Sequence, residues 1–547
     1  MSALHSVLSQ RIQAAAAAFG TYDPELRSST KPEFGHYQTN LALRIGNELK
    51  QPPREIAARL VSELQLDDLC EPPEIAGPGF INLTLLPQTL AAAVNNPETF
   101  ESKNQKVVVD YSQPNVAKQM HVGHLRSTVI GDALCNVLTF AGYDVIRQNH
   151  VGDWGTQYGM MIEQLLEEGI AAESLDLEGL QQLYERSRKH FDADGNFADK
   201  ARLRVVALQS GDPETRAMWR HMVEVSLNEF DKVYELLGTG LQRTDVVGES
   251  AYNDDLPQVV EELDKQGLLT ESDGALCAFL PGFQGRDGSP LPVIVRKSDG
   301  GFGYSATDLA AVRHRVNTLH ADRIVYVVDH RQALHFDMIF TLARTAGWLD
   351  VPAEHVSFGT VLGPNGKPFK TREGGTVKLV DLLNSAVQRA SDRESTARAV
   401  GIGAVKYADL SSDRGNDYVF DLDRMVAMTG NTGPYLQYAH ARLTRLLSKA
   451  PQATEVTQLT EPAEQRLALL LTGFAATVEQ VAETLQPHRL CTYLYAVASA
   501  LSVFYEQCSV LSSAGETRAS RIALCAATRK VLQDGLGLLG IEAPDAM

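Results

Sequence analysis

At 547 residues the chain exceeds what one hydrophobic core supports, and at roughly 100–200 residues per domain it implies about three or four units. Hydrophobic residues make up 44% and charged residues 22%, no run approaches the ~20 apolar residues of a membrane span, and the opening "MSALHSVLSQRIQ" lacks signal-peptide features. This composition excludes a helical membrane protein and predicts a globular one with no membrane partner. The formal net charge of −18 removes the easy signal for nucleic-acid binding, and scattered Cys70, Cys135, Cys277, Cys491, Cys508 and Cys525 argue against a zinc cage or disulfide framework and suit a reducing cytoplasm.

The first ~105 residues mix amphipathic helices ("LHSVLSQRIQAAAAAF", "PPREIAARLVSEL") with a strand pair around "IAGPGFINLTLL", an α+β unit closed by the polar linker "NPETFESKNQK". At 106 the pattern changes to "KVVVDY", a β-branched run typical of a strand buried on both faces. A Gln-Pro-Asn turn, a helix and "GYDVIRQNHVGD" complete a strand–helix–strand unit. Parallel-strand candidates recur at "ADRIVYVVD" (321–329) and "HVSFGTVLG" (355–363). Between them, about 165–300, lies a helical insertion ending in a β-ribbon, "GALCAFLPGF" with "LPVIVRKSDGG". From 386 strand signals vanish, and three long amphipathic patterns beginning at Ala463, Thr492 and Thr517 predict an all-α bundle. The expected divisions are therefore 1–105, 106–385 (an α/β, Rossmann-like unit) and 386–547.

Three windows run against the acidic average: Asn115–Arg126, Val361–Lys378 (Lys367, Lys370, Arg372 and Lys378 against Glu373 alone) and Gln437–Lys449. The first contains "NVAKQMHVGHLRST", placed where an open α/β sheet binds ligands, beyond a strand's carboxyl end at the next helix N-terminus. Free N–H groups there favour anions, and His121 and His124 can donate to phosphate oxygens as charge develops. Gly123, without a Cβ, leaves room for an adenine against the backbone. Metal ligation by the His-x-x-His pair needs a remote third ligand, and simple packing of both rings is a further alternative.

"VVVDYSQPNVAKQMHVGHLRSTVIGD" followed by "NHVGDWGTQYG" closely resembles the active-site strand and helix of the class I aminoacyl-tRNA synthetases, specifically the arginyl-tRNA synthetase family, with HVGH at the HIGH motif. The resemblance extends through "IAGPGFIN", "GGFGYSATDLAAVRHR", "YVVDHRQALHF", "GAVKYADLSSDR" and "GNTGPYLQYAHAR". It implies a catalytic Rossmann-like domain, an added N-terminal domain at the tRNA elbow and a C-terminal anticodon-binding bundle. It also implies activation of L-arginine by ATP with Mg²⁺, the Mg²⁺ carried by ATP without a protein metal site, and transfer to tRNA-Arg. Asp110, Asn115, Tyr304, Asp308 and Gln332 fall where the family binds arginine. Carboxylates suit the guanidinium fork, and Tyr304 and Asp308 are spaced i, i+4 for one helical face. Asp308 also closes a capping-box-like "SATD" from Ser305, so stabilising a helix start is its alternative.

The phosphate loop departs from the family's KMSKS pattern. "GPNGKPFKTREGG" offers Lys367, Lys370 and Arg372, and the motif aligns either on Lys367–Thr371 or with Lys370-Thr371-Arg372 over its later half. Lys118, three residues before His121, is the cation expected to make up the shortfall, with a solvated loop lysine as its alternative. For tRNA, the resemblance implies Phe34, Tyr37 and Gln38 in a contact loop, and Tyr435, Tyr438, Arg442 and the terminal Met547 at the anticodon. Exposed rings suit unstacked bases and arginines suit phosphates, whereas an aromatic stripe packed in the bundle is the alternative for each tyrosine. The chain is expected to act as a monomer. A small-molecule nucleotidylyltransferase shares the HxGH logic without accounting for the flanking domains, and a silent RNA-binding homologue would lack the arginine and ATP residues.

Overall fold

The computed structural model describes residues 3–29, 31–369 and 377–547. The N-terminal unit is a four-stranded antiparallel sheet in the order Leu26–Ser28, Tyr37–Thr39, Phe80–Leu83, Glu74–Ala76, packed by the helices Ala3–Ala16, Leu41–Leu49, Pro53–Glu63 and Pro87–Asn95. The expected pair at 74–83 is present. The other two strands escaped the sequence because three residues are too few for alternation to register. Residues 96–105 carry no helix or strand.

Lys106–Asp110 opens the second unit, and Val107, Val108 and Val109 are fully buried. Its neighbours run parallel to it, Asp144–Gln148 on one side and Arg323–Tyr326 on the other, with Ala353–His355 at the far edge. The chain therefore steps to one side of the first strand and later returns on the other, so the doubly wound switch point lies between Asp110 and Tyr326, partners in register. The helix Val122–Phe140 is buried along most of its length beneath the sheet.

The insertion begins with the helix Thr156–Glu168 and includes Leu177–Ala193, Gly195–Ser210, Pro213–Leu237 and Leu256–Lys265. It closes on an antiparallel ribbon, Thr270–Ser272, Ala275–Gln284 and Pro290–Arg296. The strand expected over 355–363 is broken. Arg414 takes the backbone of Ser357 (Nη1 to O, 2.7 Å) and Gly359 (N to the Arg414 carbonyl, 2.9 Å), so only Ala353–His355 joins the sheet. Val361–Leu362 pairs instead with Tyr418–Val419.

The division expected at 386 falls inside the helix Leu379–Arg389, and the 361–362/418–419 pairing interleaves the α/β unit with the C-terminal helices. Helices Ala397–Leu410, Gly433–Leu447, His488–Gln507 and Gly515–Leu538 form the bundle with two shorter ones, Pro462–Leu471 and Phe474–Thr484. The continuous pattern at 463–485 is thus two helices, parted at Thr472-Gly473. A fully buried ion pair, Arg126–Asp409 at 3.3 Å, joins the Val122–Phe140 helix to the bundle side. Removing one partner would leave a buried uncompensated charge, typically about 3–5 kcal/mol.

Candidate active site

The loop 111–121, which leaves the switch point, contains three non-glycine residues in the left-handed region: Ser112 (φ 73), Gln113 (φ 51) and Ala117 (φ 62). Each such position costs of order 1–3 kcal/mol and persists only where surroundings enforce it. Here polar side chains from remote elements accept each backbone N–H: Ser127 Oγ from Ser112 (2.8 Å), Asn149 Oδ1 from Gln113 (3.0 Å) and Ser226 Oγ from Ala117 (2.9 Å). Ser226 and Tyr234, the latter bonded to both Ser112 and Asn149, lie on the insertion helix Pro213–Leu237. The insertion is thus the clamp that sets the loop.

The loop ends in the two histidines. His121 is the N-cap, and its Nδ1 accepts from Gly123 N at 3.0 Å, while His124 Nδ1 accepts from His121 N at 3.0 Å. With both Nδ1 atoms accepting, each neutral ring carries its proton on Nε2. Burial, with Arg331 and Lys118 nearby, lowers the His121 pKa, and burial together with His121 pushes His124 to about 3. Both are neutral donors at pH 7. A Cβ at position 123 would stand 2.7 Å from the His121 ring, so Gly123 also makes room for the imidazole.

Cations surround this end. The segment after 376 returns to the motif through Val122 N–Val377 O (3.2 Å) and Leu379 N–Met120 O (2.9 Å), bringing Lys378 beside His121. Lys118, Met120, His121 and Lys378 line a cavity of about 240 Å³, walled opposite by Gln181, Tyr184 and Glu185 of the insertion. Larger concavities lie against the N-terminal unit, one of about 540 Å³ beside Arg466 and His36, so size does not identify this site; converging chemistry does. Lys367 is exposed in a hairpin closed by Gly363 N–Lys367 O (2.8 Å), and its side chain forms no ion pair among the described residues. Lys370 and Arg372 lie outside the described residues.

The other end is acidic. Asp308 is the fifth residue of the helix Tyr304–Asn317, whose N-cap is Gly303. Ser305 is inside the helix, so the capping alternative fails, and Asp308 Oδ2 instead pairs with His335 Nε2 at 2.6 Å. Sequence reasoning missed Glu249. Its carboxyl is pushed up to about 8 by burial, then by Asp308 and Asp153. Asp153, itself buried, accepts from the Ser250 N–H (2.9 Å) and Oγ (2.6 Å), and Gly248 has no Cβ to collide with it. Tyr304 stands largely exposed at the mouth, its pKa raised by burial of part of the ring and by Glu249. Asn115 bridges Gly152 at the loop, and Gln332 follows Arg331 in the neighbouring turn. Asp110 is less available than expected: Arg315, fully buried, donates Nη2 to its Oδ2 at 2.6 Å and Nε to Gln148 at 2.6 Å. The site holds an acidic cluster that can accept a cation, backed by an ion pair already made.

The expected tRNA residues divide. Tyr37 is on a strand, not in a loop, and is buried at 7% exposure. Gln38 donates to Asn82 Oδ1 at 2.7 Å, and Phe34 ends a short 3₁₀ turn above. Tyr435 packs toward the helix His488–Gln507, its hydroxyl 3.1 Å from Ser502 Oγ, so the packing alternative describes it. Tyr438 is 43% exposed, and Arg442, one turn on, lies 4.2 Å over the Tyr505 ring. The C-terminal tail follows the same helix on its buried side, Gln437 Nε2 to Glu542 O (2.8 Å) and His440 Nδ1 to Pro544 O (3.1 Å), with Met547 three residues beyond.

Residues 86–422 match the family described as tRNA synthetases class I (R), catalytic domain, residues 436–547 the DALR anticodon binding domain, and residues 2–85 the arginyl tRNA synthetase N terminal domain. The chain is 55% identical to an arginine–tRNA ligase of Cutibacterium acnes, covering 100% of both, and 50% identical to one of Thermobifida fusca, covering 99% of both. Its structure is similar to the crystal structure of the arginyl-tRNA synthetase from Plasmodium falciparum (TM-score 0.85, 30% identity, 100% of each chain). It shares the fold of the Thermus thermophilus arginyl-tRNA synthetase (TM-score 0.82, 24% identity, covering 99% of this chain and 100% of that one). Three family domains in order, and identity sustained over the whole length, place the chain in the arginyl-tRNA synthetase family of class I aminoacyl-tRNA synthetases.

Proposed function

We propose that the protein joins L-arginine to tRNA-Arg in two steps at the switch-point site. The observation that carries this reading is the polarity of the site: neutral imidazoles and cations at one end, a carboxylate cluster at the other. Asp308 and Glu249 take the guanidinium, with Tyr304 beside them. Asn115 and Gln332 hold the α-amino end, and Asp110, fixed by Arg315, sets the floor. The arginine carboxylate attacks the α-phosphorus of ATP, the bond to the bridging oxygen breaks, and pyrophosphate leaves with its electron pair. The Nε2–H groups of His121 and His124 donate to oxygens that gain charge, and Lys118, with Lys367, Lys370 and Arg372, neutralises the departing phosphates. Positioning supplies the rest, and no side chain becomes covalently attached. Lys118 and Lys378 flank His121 in this cavity, so Mg²⁺ arriving with ATP would be held by the phosphates and would supply charge neutralisation there.

The terminal ribose hydroxyl of tRNA then attacks the arginyl carbonyl and releases AMP. Phe34 and Gln38 face the tRNA elbow, with Tyr37 supporting them from the core, while Tyr438, Arg442 and Met547 face the anticodon. The protein works as a cytoplasmic monomer, and tRNA is bound before arginine is activated. Charging of tRNA-Arg with labelled arginine, with AMP formed in equal amount, tests this reading. Stable failure to charge by folded protein refutes it.

A further inference from the structure

The wall facing the ATP end is not part of the nucleotide-binding unit. It is one face of the insertion helix Leu177–Ala193, on which Gln181, Tyr184 and Glu185 adjoin at helical spacing. Tyr184 is partly buried against both hydrophobic clusters of the insertion, so its ring has a fixed place. The Lys118 ammonium lies 4.5 Å from the centre of that ring. Lys118 forms no ion pair within 4 Å among the described residues, although Glu185 lines the same cavity, and the contact made by its ammonium is with the Tyr184 ring. It acts on His121 as a positive charge from the same cavity.

A lysine that must meet phosphates from a four-carbon stem loses rotamer freedom on doing so, and a carboxylate partner would hold it at the expense of its charge. An aromatic face holds an ammonium while leaving its charge uncompensated. We propose that Tyr184 is a positioning residue for adenylate formation: its ring holds the Lys118 ammonium beside His121, ready for the leaving phosphates. This rests on the role given to Lys118 above. The insertion then serves both ends of the catalytic loop, clamping its backbone through Ser226 and Tyr234 and aiming its cation through Tyr184.

The test is arginine-dependent ATP–pyrophosphate exchange with tRNA-Arg present, on Tyr184→Leu, Tyr184→Phe, Lys118→Ala and the double variant Lys118→Ala/Tyr184→Leu. Tyr184→Leu should lower kcat/KM for ATP by roughly three- to tenfold, with the KM for arginine within twofold. Tyr184→Phe should retain wild-type values. In the Lys118→Ala background, Tyr184→Leu should add nothing. An equal loss from Tyr184→Leu with and without Lys118, or a parallel rise in the KM for arginine, would make Tyr184 a structural wall and overturn the proposal. So would an unaffected Tyr184→Leu. If Lys118→Ala alone left exchange unchanged, the role of Lys118 would fall first and the proposal with it.

Discussion

The two ends of the site are built in opposite ways. The histidine pair at the phosphate end is local. His121, Gly123 and His124 lie within four residues of one helix start, and the backbone itself supplies the hydrogen bonds that fix both tautomers. The arginine end is assembled from Asp153, Glu249, Tyr304, Asp308 and His335, brought from four separate segments. Binding an anion at a helix terminus uses dipoles that any helix has. Binding a guanidinium needs carboxylates held together against their own repulsion, and only a tertiary scaffold can impose that. The phosphate end is therefore neutral and cationic before substrate arrives, whereas the arginine end stores strain as a raised carboxyl pKa.

This contrast can be broken in order of size. Asp308→Ala removes a guanidinium acceptor and leaves His335 unpaired; kcat/KM for arginine should fall by about 4 kcal/mol, roughly a thousandfold, with the KM for ATP nearly unchanged. His124→Ala should cost about 3 kcal/mol, roughly a hundredfold, in kcat rather than in ATP binding, as single-turnover kinetics would resolve. Equal losses in kcat and ATP affinity would mean that the imidazole holds ground-state ATP instead.

The third effect is one of pH. With its carboxyl raised to about 8, Glu249 is mostly protonated at pH 7 in the free protein, and arginine binding must expel that proton. Arginine affinity should therefore rise roughly tenfold from pH 7 to pH 9 and level off above, measured by calorimetry in buffers of different ionisation heat. Because the folded pKa is raised above the ordinary value of 4.5, the ligand-free protein should lose stability as pH rises from 4.5 through 8. Glu249→Gln should flatten both profiles, raising Tm at pH 8.5 while weakening arginine. A pH-independent affinity would remove Glu249 from the site. The smallest effect is expected at exposed Lys378: replacement by Ala should reduce exchange about two- to fivefold at low salt, and less at 0.5 M salt.

The legibility of the sequence divides along the same line. The strand Lys106–Asp110 was legible because burial on both faces demands an unbroken apolar run, and HVGH because its residues are adjacent. Asp308 was found through its neighbours in a motif, but its pairing with His335 was not, because 27 residues separate them. Glu249 had no local signal at all: it sits in a 3₁₀ segment whose role comes from Gly248 admitting Asp153. Tyr37 and Tyr435 looked like Tyr438, since an aromatic on a strand or helix reads alike whether it faces solvent or core. The break at Gly473 was hidden because the apolar period resumes in phase across it closely enough to pass for one helix.

The most direct measurement is arginine-dependent ATP–pyrophosphate exchange, with lysine and citrulline as competitors and with or without tRNA-Arg. A site with carboxylates at one end and neutral imidazoles at the other predicts exchange with arginine once tRNA is added, and none with citrulline, which keeps arginine's shape without its charge. Exchange with citrulline comparable to that with arginine, or none with arginine from folded protein, would contradict the assignment of the two ends.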